Sequence, residues 1–241
     1  MYYARIRIPS SEAARHFTAD QIYKLFGNRR FRNYANICVA AKDSRFINSG
    51  DPTPSLGEYS TIAKRAKGST LPRPRRALER VHLDIVFGDG LGRMGYRYAL
   101  LLVDRATRFI WVFGLKSLHA DAFISAFKQF RAEAGGLAVQ FRTDCDAKLL
   151  SHAVVDWLRS NGSDIASAPA GRQSSNGLVE RHWRTLVEMA RSYLTEKQMP
   201  RAYWLSAIQH SARMMNCIPG KFNDELTTPF ELIHHSPPDS R

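Results

Sequence analysis

The sequence predicts an α/β domain with a mixed sheet flanked by helices, preceded by a small basic helical appendage. From residue 81 onwards, strand-like apolar runs and helix-like stretches follow one another in the order β-β-β-α-β-α-β-α. A chain of 241 residues, 44% hydrophobic and 24% charged, can bury one sizeable core and carry an appendage. Most of the excess basic charge precedes residue 81, so the basic part and the sheet-forming part are separate.

The first third of the chain is strongly basic. Residues 1–80 contain sixteen Lys and Arg against six Asp and Glu, within a formal net charge of +13. Such a surface favours a polyanionic partner, because counterion release promotes binding of Lys and Arg to nucleic acid. A capping-box pattern at Thr18 and a second helical stretch at 29–41 are compatible with a helix-turn-helix, although a simple helical hairpin with a solvated basic face is commoner. We assign 1–47 to a basic helical N-terminal segment and 48–78 to a basic linker rich in proline and glycine.

The cysteine and hydropathy patterns exclude several classes of protein. Cys38, Cys145 and Cys217 are far apart, odd in number and free of any C-x-x-C spacing, which argues against a disulfide framework or a cysteine zinc knuckle. No stretch approaches about 18 consecutive apolar residues, and the first residues lack the apolar core of a secretory signal. We therefore expect a soluble protein in a reducing compartment, with no membrane partner.

Three strand-like runs open the second part of the chain. They are V-H-L-D-I-V-F, Y-R-Y-A-L-L-L-V-D and F-I-W-V-F-G-L, joined by G-D-G-L-G-R-M-G and by D-R-A-T-R. Because strand-like runs flank the glycines on both sides and no helix follows them, a hairpin loop is favoured over a phosphate-binding loop. The runs predict an antiparallel meander whose middle strand is apolar on both faces.

Helices and two further strands follow this meander. A helix begins after Ser117, with three phenylalanines at spacings of four and three on one face, and the strand A-V-Q-F-R then leads to Asp144. A helix is predicted over 147–159, a short strand at D-I-A-S-A-P, and a long helix over about 175–196. In a mixed sheet with this order, the first and fourth strands can lie side by side.

Three carboxylates stand out against this frame. Asp84 lies inside an apolar strand, where an unpaired carboxylate is costly to desolvate; Asp144 follows the fourth strand, and Glu180 comes after thirty-five intervening residues near a helix start. Taken singly, Asp144 is typical of a strand-end turn, and Glu180 is typical of an exposed ladder with Arg184 and Glu188. Their joint placement on predicted core elements instead favours a cation-binding site.

The motifs that hold these acids resemble a known family. These motifs are H-L-D, then T-D-C-D, then Q-S-S-N-G-L-V-E-R-H-W-R-T-L, together with D-R-A-T-R, M-P-R-A-Y-W and T-P-F-E-L-I. As a series they resemble the catalytic core of copia-type retrotransposon integrases. These belong to the retroviral integrase superfamily, so the resemblance implies a ribonuclease H-like mixed five-stranded sheet flanked by helices. We assign 79–220 to the integrase catalytic core and 221–241 to its C-terminal tail.

The resemblance also implies a site. Asp84, Asp144 and Glu180 would be the catalytic residues and would bind two Mg²⁺ or Mn²⁺ ions, metals that prefer oxygen ligands. Asp84 would bridge both ions, with Asp144 on one and Glu180 on the other. Nucleic-acid contacts are expected from four residues of the loop and helix around Glu180, namely Gln173, Asn176, Arg181 and Arg184.

The implied activity is DNA integration by metal-dependent phosphoryl transfer, in which 3'-ends of double-stranded DNA are trimmed and then joined to target DNA. The protein would act as a homo-oligomer on DNA in the nucleus after synthesis in the cytoplasm. Two alternatives stay open: a hydrolytic nuclease of the same fold, and a non-catalytic DNA-binding protein that uses the basic first third.

The sequence departs from the family pattern in three places. Asp144-Cys145-Asp146 stands where Asp-Asn-Gly is usual; Asp146 could compete as a ligand, but we expect it to cap the following helix. The first 80 residues offer only His16 and Cys38, too few ligands for the family's N-terminal zinc module. The sequence ends at P-P-D-S-R, before the reverse transcriptase of such polyproteins, which suggests a fragment, or a decayed or separately encoded copy.

Overall fold

The computed structural model describes residues 74, 76–88, 90–144, 148–167, 177–222 and 225–238. The helical segment predicted at 1–47 and most of the linker predicted at 48–78 lie outside these residues, so both stay predictions. Within the described ranges, none of the helices has the length and apolar character needed to cross a membrane.

Five strands form one mixed sheet: β1 (Arg80–Phe87), β2 (Tyr98–Asp104), β3 (Ile110–Leu115), β4 (Gln140–Thr143) and β5 (Asp164–Ser167). Their order across the sheet is β3-β2-β1-β4-β5. The first three strands pair antiparallel, whereas β1, β4 and β5 pair parallel. The predicted mixed five-stranded sheet is therefore confirmed, and the first and fourth strands do lie side by side.

Five helices accompany the sheet: α1 (Ala120–Ala134), α2 (His152–Ser160), α3 (Gly177–Glu196), α4 (Trp204–Asn216) and α5 (Pro229–His234). The first three were predicted, but α2 begins at His152 rather than Ala147. Its N-cap Ser151 is extended and follows a turn at 148–150, so helical geometry starts only there. Helix α4 and helix α5 were not predicted as elements.

The segment assigned to a C-terminal tail packs as part of the domain. A small hairpin of β6 (Gly220–Phe222) and β7 (Glu225–Thr227) crosses the boundary predicted at residue 220. Helix α5 begins with a capping box at Thr228 and packs Phe230 and Ile233 against the core on the α1 side of the sheet.

Residues alternate between the two faces of the sheet, which gives a core on each side. Val81 packs with α1 and α2, whereas Val86 packs with α3 and α4. The middle strand β2 is buried on both faces, with Leu100 on one side and Leu101 on the other, as its sequence predicted. The aromatic stripe of α1 is fully buried, which confirms its assignment to the core through Phe123, Phe127 and Phe130.

The glycine-rich loop between β1 and β2 is a hairpin loop, as predicted. The Gly88 N–H donates to the Arg97 carbonyl at 2.9 Å, and the Gly92 N–H donates to the Tyr96 carbonyl at 2.8 Å. A Cβ atom at either glycine would overlap the indole ring of Trp204, which is only 5% exposed. The loop is glycine-rich here because the first residue of α4 occupies the space beside it.

Asn216, the last residue of α4, fastens that helix to the edge strand β3. Its Oδ1 accepts from the Ile110 N–H and its Nδ2 donates to the Ile110 carbonyl, both at 2.8 Å. The side chain is 4% exposed, so this pair of hydrogen bonds satisfies backbone groups that no neighbouring strand reaches.

Gly88→Ala is expected to lower the free energy of unfolding by about 1–3 kcal/mol, because the added methyl group must displace a buried indole or the loop backbone. Gly136→Ala is the matched control, since a Cβ atom there meets nothing within 4 Å. Urea denaturation of both variants measures the difference. Equal denaturation midpoints would contradict the idea that Trp204 imposes glycine on this loop.

Asn216→Asp is expected to lower the free energy of unfolding by about 3 kcal/mol at neutral pH, because a buried carboxylate oxygen would face the Ile110 carbonyl. Burial would raise the pKa of that carboxyl, so the lost stability should return as the pH falls and the carboxyl regains a proton to donate.

The control for this variant is Asn161→Asp, which alters an exposed amide that also donates to a backbone carbonyl, that of Trp157. It should cost about 1 kcal/mol or less. Denaturation at neutral and acidic pH separates the two cases. A loss at Asn216 that does not depend on pH would argue against the proposed pairing.

Candidate functional site

Asp84 lies in the middle of β1 on the side of the sheet that α3 and α4 cover. It shares this side with Val86, because alternate residues of a strand project in the same direction. The side chain is partly exposed, and its Oδ1 accepts the backbone N–H of Ile85 at 2.9 Å. The carboxylate is thus attached to a rigid central strand and oriented by the backbone itself.

Asp144 comes directly after β4 and is exposed. The parallel register pairs Arg80 with Gln140 and His82 with Arg142. The paired residues end at His82 and Arg142, and Asp84 and Asp144 each lie two residues further along the chain. Because β1 and β4 are parallel neighbours, both predicted site residues follow the same end of this paired stretch.

Glu180 lies in the first turn of α3 and is exposed. Its neighbours Leu178 and Val179 belong to the core on the same side of the sheet as Asp84. Within the described residues, however, no group of three or more His, Cys, Asp or Glu is arranged to hold a metal ion. Asp84 and Asp144 therefore follow the same paired stretch of two neighbouring strands, but the described residues do not assemble the three acids, and the triad stays a prediction.

Among the described residues, Glu180 does not form the exposed series of ion pairs along the helix that its spacing from Arg184 and Glu188 allowed. No ion pair joins Glu180 to Arg184 in the described part of the chain, where the exposed pair between Arg159 and Asp164 at 3.6 Å is seen instead. Arg184 and Arg181 are both exposed on α3, and the Arg181 Nε–H donates to the Gly177 carbonyl at 2.9 Å. These arginines remain available at the helix surface.

Other predicted site residues cannot be located. Gln173 and Asn176 lie outside the described residues, as do Cys145 and Asp146 beside the site. The donor chemistry that can be judged fits the implied metal, since Asp84 and Asp144 offer carboxylate oxygens, the ligands that Mg²⁺ and Mn²⁺ prefer.

A cluster of basic residues adjoins the aspartate pair, and the sequence analysis did not find it. Burial lowers the pKa of His82 to about 4, and nearby guanidinium groups add to this effect, those of Arg105, Arg142, Arg80 and Arg108. Burial also lowers the pKa of Arg142, with Arg80 contributing. The signal in the sequence was that H-x-D and R-T-D each place a basic residue two positions before a candidate ligand.

Comparison with known proteins finds relatives among plant retrotransposons. The chain is 28% identical over 191 residues to the retrovirus-related Pol polyprotein from transposon TNT 1-94 of Nicotiana tabacum, covering 75% of the chain and 14% of that polyprotein. It is 29% identical over 201 residues to the Pol polyprotein from transposon RE2 of Arabidopsis thaliana, covering 80% and 12%. The chain thus spans about one seventh or less of the length of these relatives. No protein-family model matches it.

Solved structures agree in fold. The HTLV-2 integrase catalytic core domain in complex with magnesium matches with a TM-score of 0.52 at 19% identity, covering 66% of this chain and 98% of that one. A chain of the simian T-cell lymphotropic virus intasome in complex with PP2A regulatory subunit B56 gamma gives a TM-score of 0.57 at 16% identity, covering 75% and 63%. These findings confirm the resemblance seen in the sequence: the chain is a homologue of retrotransposon Pol polyproteins and has the ribonuclease H-like fold of retroviral integrase catalytic cores.

Proposed function

We propose that this chain carries out DNA integration by metal-dependent phosphoryl transfer, trimming 3'-ends and joining them to target DNA. The observation that carries the proposal is the parallel pairing of β1 with β4, since Asp84 and Asp144 each lie two residues beyond the same pair, His82 and Arg142. The sequence similarity to Pol polyproteins and the fold shared with integrase cores support it.

Asp84, Asp144 and Glu180 would hold two Mg²⁺ or Mn²⁺ ions, as the magnesium in the HTLV-2 integrase core suggests. When bound, such ions activate a hydroxyl or water and neutralise charge on the leaving oxygen. The chain's own contribution is positional. Strand β1 carries Asp84, whose carboxylate is oriented by the Ile85 N–H, and strand β4 ends immediately before Asp144. Glu180 would approach the site from an exposed first helical turn.

DNA would be held by the surface of α3 and the loop before it. Arg181 and Arg184 are exposed one turn apart, and guanidinium groups suit phosphate oxygens. We extend this role to Gln173 and Asn176 from the family resemblance. We further propose a homo-oligomer on double-stranded DNA and a nuclear place of action; the HTLV-2 integrase core is known in a trimeric and a dimeric form.

Two alternatives make different predictions. A hydrolytic nuclease would use the same carboxylates with water as the sole attacking group and would release cleaved DNA without joining it. A non-catalytic DNA-binding protein is favoured by one observation, the excess of sixteen basic over six acidic residues in the first 80. In that case binding would depend on this segment and metal would be irrelevant.

Glu180→Gln is expected to reduce joining of a labelled duplex end to plasmid DNA by about a hundredfold or more in Mg²⁺ or Mn²⁺, because a ligand charge is lost. The matched control is Glu188→Gln, an equal change two turns along the same helix, which should leave joining unchanged. Cleavage without joining in the unmodified chain would favour the nuclease. Duplex binding with neither reaction would favour the DNA-binding protein.

Metal binding can be tested without catalysis. Mn²⁺ should raise the melting temperature of the chain, because a ligand that binds only the folded state stabilises it. Asp84→Asn should abolish this increase, because a ligand charge is lost. The matched control is Asp156→Asn on the exposed face of α2, which should retain the full increase. An equal Mn²⁺ response in Asp84→Asn would contradict the proposed ligand.

A further inference from the structure

The basic cluster beside the aspartates is built on rigid elements. His82 and Arg142 are register partners on β1 and β4, and each lies two residues before a candidate ligand, Asp84 and Asp144 respectively. Arg80 lies on the same face of β1 as His82, and its Nε–H donates to the Gln140 side chain at 3.2 Å. This face of β1 therefore carries two basic residues, Arg80 and His82, followed by the carboxylate of Asp84.

Two nitrogen atoms in this cluster lack partners. His82 is 6% exposed, yet its Nδ1 has no hydrogen-bond partner, and the same is true of the buried Nε of Arg142. Buried polar atoms are nearly always paired, because leaving one unpaired costs free energy. The Arg142 Nε–H is a donor, and His82 can donate from Nδ1 in one tautomer, so both atoms suit an oxygen acceptor.

The turn between β2 and β3 completes the cluster with two more arginines. Arg105 is joined to β1 through its backbone N–H, which donates to the Arg80 carbonyl at 2.9 Å. Arg108 adopts a left-handed backbone with φ of 66°, a conformation that an L-residue other than glycine rarely takes. Glycine would fit this position without strain, so the arginine side chain is retained at a cost to the backbone.

We propose that His82, Arg142, Arg80, Arg105 and Arg108 form a binding site for the phosphate backbone of duplex DNA. The site would be separate from the DNA-binding surface proposed on α3. It would hold the DNA strand as it leaves Asp84 and Asp144. The proposal rests on the proposed function for the direction of the strand, but not for the presence of the site.

Charge and spacing favour DNA as the occupant. Alternate residues of β1 lie about 7 Å apart along the strand, which corresponds to about two nucleotide steps of rise. Successive basic residues can therefore meet phosphates at regular intervals from a reacting phosphodiester. Guanidinium forks bind phosphate oxygens in pairs, and a second copy of this chain, with its net charge of +13, would be repelled.

The test is the salt dependence of duplex binding by the full chain in EDTA. The double variant Arg105→Gln with Arg108→Gly should weaken binding and reduce the slope of log Kobs against log salt concentration by about 2, since each phosphate contact contributes about 0.9.

The matched control is Lys128→Gln with Arg131→Gln, which removes the same charge from the exposed surface of α1 on the opposite side of the sheet. The control should leave the slope unchanged. Equal slopes for the two double variants would overturn the proposal. A lower melting temperature with an unchanged slope would also overturn it, because the arginines would then serve the fold through internal pairing.

This experiment separates the proposal from the proposed function. A reduced slope in a chain that joins no DNA would retain the phosphate site and reject integration by this chain. Joined product together with an unchanged slope would retain integration and reject the phosphate site. Absence of duplex binding by the unmodified chain would reject both.

Discussion

The buried carboxylate of Asp104 holds together the end of the sheet on which both proposed sites depend. Its Oδ1 accepts the Leu78 N–H at 3.0 Å, and its Oδ2 accepts from the Ala106 N–H and from both the N–H and the hydroxyl of Thr107. Burial raises the pKa of this acid, although the hydrogen bonds oppose the shift. One fully buried side chain thus fixes where the chain enters β1 and where it turns from β2 to β3.

This anchorage has consequences along β1. Once its first residue is fixed, the antiparallel register with β2 and the parallel register with β4 determine which residues stand level. His82 meets Arg142 in this register, and Asp84 and Asp144 each follow two residues later. A slip of one residue would turn His82 and Asp84 to the opposite face of the sheet. The placement of these side chains is therefore a property of strand register rather than of any single motif.

The sequence predicted much of this arrangement because apolar periodicity is strong from β1 to α3. Alternation and glycine placement identified the hairpins, and the phenylalanine spacing identified α1 and its buried face. Helix α4 was missed because its buried face is recognised only through partners distant in sequence, such as Trp204 against the Gly88 loop. The basic cluster was missed for a similar reason: the proximity of Arg142 to His82 follows from pairing between strands about sixty residues apart. Asp104 was read only as part of a turn.

The two proposed sites are linked by the electrostatic interactions between their acidic and basic groups. Carboxylates gathered at one site favour binding of divalent cations but oppose the approach of a DNA phosphate. The neighbouring basic groups offset the second effect at short range, because a guanidinium attracts phosphates. Acidic and basic side chains occupy different positions along one face of the sheet. The fold can therefore attract a polyanion to a site whose metal ligands are themselves anionic. Neither set of side chains would achieve this alone, since the arginines lack an affinity for metal and the aspartates lack one for DNA.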